Sequence, residues 1–440
     1  MAGMLPSGPL DFGRVSRMPW WGVPCGIAGA AVLLSGLVAA AATPWPEFRG
    51  PTADGVSAER PLAVRWSEQE GVAWKTEIPG KAWSSPVIWD GPVWLTNATA
   101  DGKRLSVVAV DRDTGKLVRD ITVFEIETPQ FCHAFNSYAS PTPVIEQGRL
   151  YAHFGSAGTA CLDTATGAVV WRRQDLPCDH FRGPGSSPIL HGDLLVVAFD
   201  GFDRQYVVAL DKRTGATVWQ TDRNIEYGTT DGDMKKGYGT AAVVTVDGRD
   251  QLVIPSAGAT IAYEPATGKE LWRLNHGGMN ASARPLHAHG AVYVNTSSGG
   301  MGMVAVRPDG AGDVTASKLV WKSSQGTGTR SSQLVLGDRL FLVANGGAAT
   351  ALDIATGKPV WQKRLGGEFS ASPILADGRI YVANQDGDTF VLEAAPPHEL
   401  VATNTLAAGC MASPAVYDGA IYLRTKTHLY KIPRPAADRR

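Results

Sequence analysis

The feature that most restricts the fold is an internal repeat whose complete form ends in Asp-x-x-Thr-Gly-x-x-x-Trp. Its Thr-Gly pair occurs five times, at Thr114-Gly115, Thr166-Gly167, Thr214-Gly215, Thr267-Gly268 and Thr356-Gly357. The acidic residue three positions before each Thr can accept N–H bonds within a turn, and the glycine supplies the positive φ that closes it. Four of the copies then place a Trp on the outgoing strand, where its ring can be buried between neighbouring units. Each copy is therefore predicted to end in a β-hairpin that packs against another copy.

The copies also begin alike, with a dipeptide such as Ser-Pro followed by two short apolar runs and an intervening polar turn. Eight such dipeptides follow one another at intervals of roughly 40 to 55 residues, a spacing typical of propeller blades. They are Ser85-Pro86, Ser140-Pro141, Ser187-Pro188, Thr240-Ala241, Arg284-Pro285, Ser332-Gln333, Ser372-Pro373 and Ser413-Pro414. No long amphipathic helical pattern competes with the strand pattern. The chain is therefore predicted to be all-β and to fold as an eight-bladed β-propeller.

The two ends of the repeat region indicate how the ring closes. The eighth copy stops near Tyr430-Lys431-Ile432, one strand short of a complete blade. Ahead of the first copy, Val72-Ala73-Trp74-Lys75 has the pattern of an outermost strand and carries the Trp of the repeat. Pairing of these segments completes the last blade and removes its open edge. We therefore predict that an N-terminal strand closes the ring.

The sequence outside the repeats indicates an exported protein. Residues 1–42 combine a basic start, an apolar run at 27–40 and a stretch of four alanines, which is typical of a cleaved signal peptide. The uncharged run is also long enough to be an uncleaved membrane anchor. We expect a periplasmic or secreted monomer with an N-terminal extension at 43–71, the propeller at 72–433 and a basic tail at 434–440. The formal net charge of −1 gives no reason to expect nucleic-acid binding.

The complete repeat, Ala-Leu-Asp-x-x-Thr-Gly-x-x-x-Trp, resembles that of propellers of the pyrroloquinoline-quinone (PQQ) type. Residues 45–51 and 136–144 are also similar to segments of exported bacterial PQQ-like propellers. The resemblance covers nearly all of the chain after the signal, and it implies a non-catalytic binding or scaffold protein like the propellers of outer-membrane-protein assembly. Because enzymes and non-enzymes share this repeat, two alternatives remain. They are a PQQ-dependent dehydrogenase and a propeller that binds a small ligand or carbohydrate.

The dehydrogenase alternative implies a quinone and a calcium ion in the central channel, and often two adjacent cysteines against the quinone ring. This sequence has no adjacent cysteines. Calcium needs several oxygen ligands, and the segments that lead into the blades offer only the scattered candidates Asn136, Asp179, Asn280 and Glu368. We therefore expect no catalytic residues and no cofactor, with PQQ and Ca²⁺ belonging to the alternative alone.

A binding site for an unknown protein or small molecule is expected where the copies differ, at the mouth of the channel. Three residues before the Pro or its equivalent, the copies carry Trp83, Tyr138, Gly185, Tyr238, Ser282, Arg330, Ser370 and Met411. This mixture of aromatic, cationic and small groups suits a ligand or a partner, although loops also vary without function. The predicted binding residues are Trp83, His133, Asn136, Tyr138, His180, Arg182, Tyr238, Arg330 and Met411.

Two cysteines in the leading segments of consecutive copies form a further candidate pair. Cys132 precedes His133, and Cys178 lies two residues before His180. In an exported protein a disulfide between Cys132 and Cys178 is favoured. The alternatives are a tetrahedral zinc site made with the two histidines and buried free thiols.

Overall fold

The structure, a computed structural model that describes residues 42–435, is built from eight blades of four antiparallel strands. From the innermost to the outermost strand, blades 1 to 4 are Val87–Ile88, Val93–Ala98, Arg104–Val110, Leu117–Glu125; Val144–Glu146, Arg149–His153, Thr159–Asp163, Val169–Arg173; Ile189–His191, Leu194–Asp200, Gln205–Asp211, Thr217–Asp222; and Ala242–Val246, Arg249–Pro255, Ala259–Tyr263, Glu270–Asn275. The second half of the ring has the same arrangement.

In that order, blades 5 to 8 are Leu286–Ala288, Ala291–Asn295, Met303–Val306, Leu319–Ser323; Leu334–Leu336, Arg339–Val343, Ala348–Asp353, Pro359–Arg364; Ile374–Ala376, Arg379–Ala383, Asp388–Glu393, Leu400–Thr405; and Ala415–Tyr417, Ala420–Arg424, His428–Ile432, Trp74–Glu77. Smaller elements are Val56–Ser57, which adds to blade 7, Gly312–Asp313, which adds to blade 4, the pair Gly277–Met279 and Ser298–Gly300, and the 3₁₀ turn Gly232–Lys235. The all-β, eight-bladed propeller predicted from the repeat is confirmed.

The ring closes as predicted. Trp74–Glu77 is the outermost strand of blade 8 and pairs antiparallel with His428–Ile432, with Trp74 opposite Lys431. The predicted export signal at 1–42 lies outside the described residues except for Ala42, as does most of the predicted tail at 434–440. Within residues 42–435, no helix has the length and apolar character needed to cross a membrane.

The hydrophobic core lies between neighbouring blades. One cluster, for example, joins Val196 and Val207 of blade 3 to Leu252, Ile254 and Ile261 of blade 4. The two middle strands of a blade are buried on both faces, so they read as nearly continuous apolar runs. Outermost strands such as Thr217–Asp222 have only one side chain fully buried. The apolar runs of the sequence therefore mark the middle strands, and the lone Trp marks the outermost one.

The Asp-x-x-Thr-Gly motif forms the predicted turn between the two outer strands. In blade 3, Oδ1 of Asp211 accepts hydrogen bonds from the backbone N–H of Thr214 at 2.9 Å and from its hydroxyl at 3.0 Å. Gly215 has a φ of 75°, a conformation that favours glycine. The carboxylate thus satisfies the turn's donors, and the glycine reverses the chain.

The Trp of one blade packs against the Thr-Gly turn of the following blade. Trp219 Nε1 donates to the carbonyl oxygen of Pro265 at 2.9 Å, and a Cβ on Gly268 would lie 2.4 Å from a carbon of the Trp219 ring. The same contact recurs where Trp74, Trp171 and Trp321 meet Gly115, Gly215 and Gly357. The prediction that the ring is buried between blades is confirmed, and the turn glycine is also required because the indole leaves no room for a side chain.

Candidate functional site

A belt of hydroxyl groups encircles the channel at the start of the innermost strands. Each hydroxyl accepts a hydrogen bond from the backbone N–H of the residue at the corresponding position in the preceding blade, at 2.8–3.1 Å. The belt residues are Ser85, Thr142, Ser187, Thr240, Ser332, Ser372 and Ser413. Blade 8 connects back to blade 1 through Ser413 N–H and Ser85 Oγ at 3.1 Å. The small hydroxyl residue at the head of each repeat therefore joins neighbouring blades around the channel.

The belt corrects the alignment of the second copy. Its belt residue is Thr142, followed by Pro143, and not Ser140 followed by Pro141 as the sequence predicted. The position three residues before the proline is then Ser140 and not Tyr138. Two successive Ser/Thr-Pro dipeptides made the sequence ambiguous by two residues, and only the hydrogen bonds between blades distinguish them.

Blade 5 interrupts the belt with Arg284, whose side chain is almost fully buried. Its guanidinium donates to the carbonyl oxygen of Ala241 at 2.8 Å, to that of Phe48 at 2.7 Å, and to Oε2 of Glu47 at 3.1 Å. Burial raises the pKa of the Glu47 carboxyl, and the attraction of Arg284 opposes this effect. The missing hydroxyl is thus replaced by an anchor for the N-terminal extension.

The N-terminal extension occupies the channel. Trp45 forms a bridge with Ile88 of blade 1, and Val56–Ser57 pairs in parallel with Leu375 and Ala376 of blade 7. Between these points, buried Arg49 donates to the carbonyl oxygens of Pro373 at 3.1 Å and Gln333 at 2.6 Å. Burial lowers the pKa of Arg49 to about 9. Phe48 lines the mouth cavity together with hydroxyls of the belt, so the extension contributes to the base of that cavity.

The mouth above the belt holds a cavity of about 370 Å³. Its rim contains one residue from each blade, three positions before the proline or its equivalent: Trp83, Ser140, Gly185, Tyr238, Ser282, Arg330, Ser370 and Met411. Seven of these eight are the residues that the sequence placed there. His133, Asn136 and Arg182 line the same cavity, with Phe48 and belt hydroxyls at its base. The structure thus brings together seven of the nine predicted binding residues.

A contact across the mouth joins two opposite sides of the ring. The guanidinium of Arg330, in the segment that leads into blade 6, lies 4.7 Å from the ring centroid of Phe135, in the segment that leads into blade 2. Phe135 is held in place because its carbonyl oxygen accepts a hydrogen bond from Trp83 Nε1 at 3.0 Å. Sequence reasoning missed Phe135 because nothing in the repeat pattern aligns it with the rim. Both residues line the cavity, so the contact bridges it from blade 2 to blade 6.

Arg182 and Asn136 stabilise the wall of the cavity between blades 2 and 3. Arg182 forms a bidentate ion pair with Asp233, with both N···O distances at 2.5 Å. Asn136 Nδ2 donates to the carbonyl oxygens of Arg182 at 2.8 Å and Pro184 at 3.0 Å. The Asn136 bonds join the segments that lead into blades 2 and 3, and the Arg182–Asp233 pair joins the second of these to the segment that leads into blade 4.

The other two predicted binding residues, Tyr138 and His180, lie in a second cavity of about 220 Å³. The Tyr138 hydroxyl donates to the carbonyl oxygen of Gln130 at 2.8 Å. Nε2 of His180 accepts from the backbone N–H of Ser156 at 3.0 Å, and Nδ1 lies 3.3 Å from Nζ of Lys236. Burial, reinforced by the Lys236 charge, lowers the pKa of His180 well below its usual value. His180 is therefore a buried neutral imidazole that supports the wall.

The predicted disulfide between Cys132 and Cys178 is absent from the structure, in which both thiols are free. Cys132 Sγ lies 3.8 Å from the carbonyl oxygen of Arg182, whereas Cys178 Sγ lies 3.9 Å from Nδ1 of His180. Cys178 belongs to the apolar core between blades 2 and 3. The two side chains thus pack in different surroundings, although the sequence places them in corresponding segments.

The candidate metal ligands are not brought together. Within residues 42–435, no group of three or more His, Cys, Asp or Glu side chains is arranged to hold a metal ion, and this includes the zinc alternative at the two Cys-His pairs. Of the calcium candidates, Asn136 and Asn280 line the main cavity, but Asp179 and Glu368 do not, and no carboxylate is among its lining residues. Since protein Ca²⁺ sites use carboxylates among six to eight oxygens, the donors present do not fit a calcium ion.

Comparison with known proteins identifies the family to which this chain belongs. The family model described as outer membrane protein assembly factor BamB matches residues 55–174, 107–203 and 203–430. The BamB of Yersinia pestis is 23% identical over 277 residues, which cover 59% of this chain and 64% of that protein. The tetrathionate hydrolase of Acidithiobacillus ferrooxidans is 23% identical over 308 residues, which cover 66% of this chain and 56% of that protein. The chain therefore spans less than two thirds of the length of these two relatives.

Solved structures share the fold at low identity. The BamB of Moraxella catarrhalis superposes with a TM-score of 0.56 at 14% identity, over 82% of this chain and 99% of that one. The quinohemoprotein alcohol dehydrogenase of Comamonas testosteroni superposes with a TM-score of 0.65 at 11% identity, over 90% of this chain and 81% of that one. These likenesses include both a BamB and an alcohol dehydrogenase, at identities under 25%, so they establish the fold alone. By the match of the family model along most of its length, the chain belongs to the PQQ-type propeller family of outer membrane protein assembly factor BamB.

Proposed function

We propose that this chain is an exported, non-catalytic propeller that binds a partner at its mouth and serves outer-membrane assembly in the periplasm. The observation that carries the proposal is the contrast between the mouth and the framework beneath it. The belt repeats one hydroxyl in seven of eight blades, whereas the rim of the cavity carries indole, phenol, guanidinium and thioether groups. Chemical variety at a concave surface on a repetitive scaffold is typical of a binding site.

An aromatic patch beside the mouth supports a protein partner. The patch consists of Phe131, Phe181 and Phe202, with ring centroids 5.4 Å apart for the first pair and 5.0 Å for the second. Phe131 is 59% exposed and Phe181 is 38% exposed. Contiguous exposed aromatic groups are typical of interfaces. Exposed valines such as Val218, by contrast, lie on the outermost strands, away from this patch.

The test is recovery of identified partners with the tagged full chain from solubilised outer membranes of its own host. We expect proteins of outer-membrane assembly to be recovered with the wild-type chain and with Val218→Ser, and to be lost with the double variant Phe131→Ser and Phe181→Ser. Equal recovery with both variants contradicts a role for the mouth. Absence of assembly proteins from the wild-type sample contradicts the proposed pathway.

A second assay tests the non-catalytic part of the proposal. The purified chain is mixed with PQQ and Ca²⁺, and quinone absorbance and dye-linked alcohol oxidation are measured. We expect neither stoichiometric quinone binding nor alcohol oxidation, because the cavity lacks carboxylate ligands for the metal. Clear activity contradicts the proposal in favour of a dehydrogenase.

A further inference from the structure

The charges around the mouth cavity are unbalanced. The guanidinium groups of Arg182 and Arg330 line it, and no carboxylate is among its lining residues. Asp233 neutralises Arg182 through two short hydrogen bonds. Among residues 42–435, the counter-ion of Arg330 is Glu368, at 3.4 Å, and the Glu368 side chain is 58% exposed. Because exposed ion pairs of this kind are weak, Arg330 leaves a net positive charge at the cavity.

Arg330 is also positioned to receive a ligand. Its Nη1 donates to the carbonyl oxygen of Phe369 at 3.1 Å and to Oγ of Ser370 at 3.2 Å, which fixes the side chain. No hydrogen bond from its Nε to residues 42–435 accompanies these contacts. The guanidinium lies over the Phe135 ring, and Nη2 donates to Oε2 of Glu368 at 3.4 Å, so Nε is the nitrogen left for a further acceptor. A guanidinium N–H binds carboxylates with strong, directional hydrogen bonds.

Aromatic surfaces adjoin this cation within the same cavity. Trp83 and Tyr238 line the cavity from blades 1 and 4. Trp83 is fixed by its bond to the Phe135 carbonyl oxygen, and the Tyr238 ring packs with its centroid 4.6 Å from Nζ of Lys236. Rigid aromatic side chains favour planar apolar groups through stacking and edge-to-face contacts. The cavity thus combines a site for an anion with a site for a ring.

Phe48 lines the base of the cavity. It is held through the bond from Arg284 to its carbonyl oxygen at 2.7 Å. A ligand that enters from the mouth therefore meets Phe48 and presents one end to the base. A volume of about 370 Å³ lies in the range of small-ligand pockets.

We propose that the mouth cavity binds an aromatic carboxylate, with the carboxylate on Arg330 and the ring against Trp83 and Tyr238. This inference rests on the proposed binding function and names the chemistry that the mouth selects. The carboxylate has two possible sources, a free aromatic acid or the C-terminal residue of a partner polypeptide. Both present a ring and an anion at one end of a molecule.

Calorimetric titration of the purified full chain tests the selection. The test ligands are 3-phenylpropionate, its amide, and a pentapeptide ending in phenylalanine with a free or an amidated C-terminus. We expect at least one free acid to bind roughly tenfold more tightly than its amide, because charge-assisted hydrogen bonds are the stronger ones. Binding of the small acid indicates a free ligand, and binding of the peptide acid alone indicates a polypeptide terminus. Equal affinity of acids and amides, or binding of none of the four, overturns the inference.

Matched variants assign the effect to the cavity. Arg330→Gln is expected to reduce the acid-to-amide ratio to about one, whereas Arg339→Gln, on the same blade but outside the cavity, leaves the ratio unchanged. Trp83→Ala is expected to weaken binding of the acid and binding of the amide to the same extent. In the wild-type chain, salt weakens binding of the acid and not of the amide. If Arg330→Gln keeps the preference for the acid, the inference is wrong even when recovery of assembly proteins succeeds, so the two failures are distinguishable.

Discussion

Arg284 donates a hydrogen bond to the Glu47 carboxylate at 3.1 Å, which ties the fifth blade to the segment that closes the channel. The other seven blades have a hydroxyl at the Arg284 position. Arg284 therefore interrupts the belt of hydroxyl groups, and it also holds Phe48 at the base of the cavity. Both side chains are largely buried, with exposures of 1% for Arg284 and 18% for Glu47. When one of them is removed, water therefore does not readily replace the lost hydrogen bond to the other.

Replacement of Arg284 by serine restores a belt hydroxyl but removes the anchor of the N-terminal extension. We expect a loss of about 3 kcal/mol in the free energy of unfolding, because the Glu47 carboxylate is left partly buried without its partner. Hydrogen exchange at the backbone amides of residues 45–57 should become faster. Ser187→Ala is the control, since it removes a belt hydroxyl that does not contact Arg284, at a cost of about 1 kcal/mol, and leaves that exchange unchanged. An Arg284→Ser variant as stable as the wild type would mean that the anchor contributes little.

The packing of Trp against the turn glycine predicts unequal effects for two Gly→Ala substitutions. Gly268 and Gly248 both have positive φ, at 70° and 74°, and each alanine pays about 1 kcal/mol for that conformation. A Cβ on Gly268 also meets the Trp219 ring, whereas one on Gly248 meets no atom within 4 Å. We expect Gly268→Ala to lose about 3 kcal/mol of unfolding free energy and Gly248→Ala about 1 kcal/mol. Equal losses in urea denaturation would show that the indole yields to the new methyl group.

Buried histidines predict a loss of stability in acid. His153 is almost fully buried, and burial lowers its pKa to about 3. The unfolded chain binds a proton near pH 6.5 while the folded chain does not, so stability falls as the pH drops from 6.5 towards 3. Between pH 7 and pH 5 this histidine accounts for about 2 kcal/mol. His153→Asn should remove that part of the pH dependence, while exposed His289→Asn should keep it, as measured by urea unfolding at both pH values. If the unfolding free energy of the wild type and of both variants changes equally with pH, the assignment of this effect to His153 is contradicted.

The free thiols predict that a reductant leaves the stability unchanged. Burial raises the pKa of Cys178 to about 12 and that of Cys132 to about 11, so both are protonated at neutral pH. We expect iodoacetamide to label them slowly in the folded chain and rapidly after denaturation. Dithiothreitol should shift the unfolding free energy by less than about 0.5 kcal/mol, whereas loss of a disulfide costs about 2–4 kcal/mol. A fall of that size in the unfolding free energy on addition of dithiothreitol would show that Cys132 and Cys178 form the disulfide predicted from the sequence.

The repeat made the architecture predictable because its features act locally. Asp211 and Gly215 specify a turn by themselves, and the apolar pattern around Trp74 identifies the closing strand without knowledge of its partner. The mouth was predictable for a related reason, because counting back from the proline of each repeat places side chains at equivalent positions around a ring. The one rim position assigned to the wrong residue, Tyr138, lies before two successive Ser/Thr-Pro dipeptides, either of which could be taken as the head of the repeat.

Other parts depend on contacts that the repeat does not encode. Phe48 and Phe135 come from segments outside the repeat, so no periodic position gives their places at the base and the top of the cavity. Cys132 and Cys178 occupy similar positions in sequence, yet the local turns give their side chains different surroundings. His180 resembled a mouth residue in sequence, but the bond from the Ser156 amide draws its ring into the wall.

Photo-crosslinking in living cells tests most directly the claim that the mouth is the binding surface. A benzoylphenylalanine replaces either Phe131, in the aromatic patch beside the mouth, or Val218, which is 51% exposed on the outermost strand of blade 3. We predict a discrete adduct with an outer-membrane assembly protein from position 131 and none from position 218. An adduct from position 218 with none from position 131 would contradict the account, because the partner would then bind the outer strands of the propeller and not its mouth.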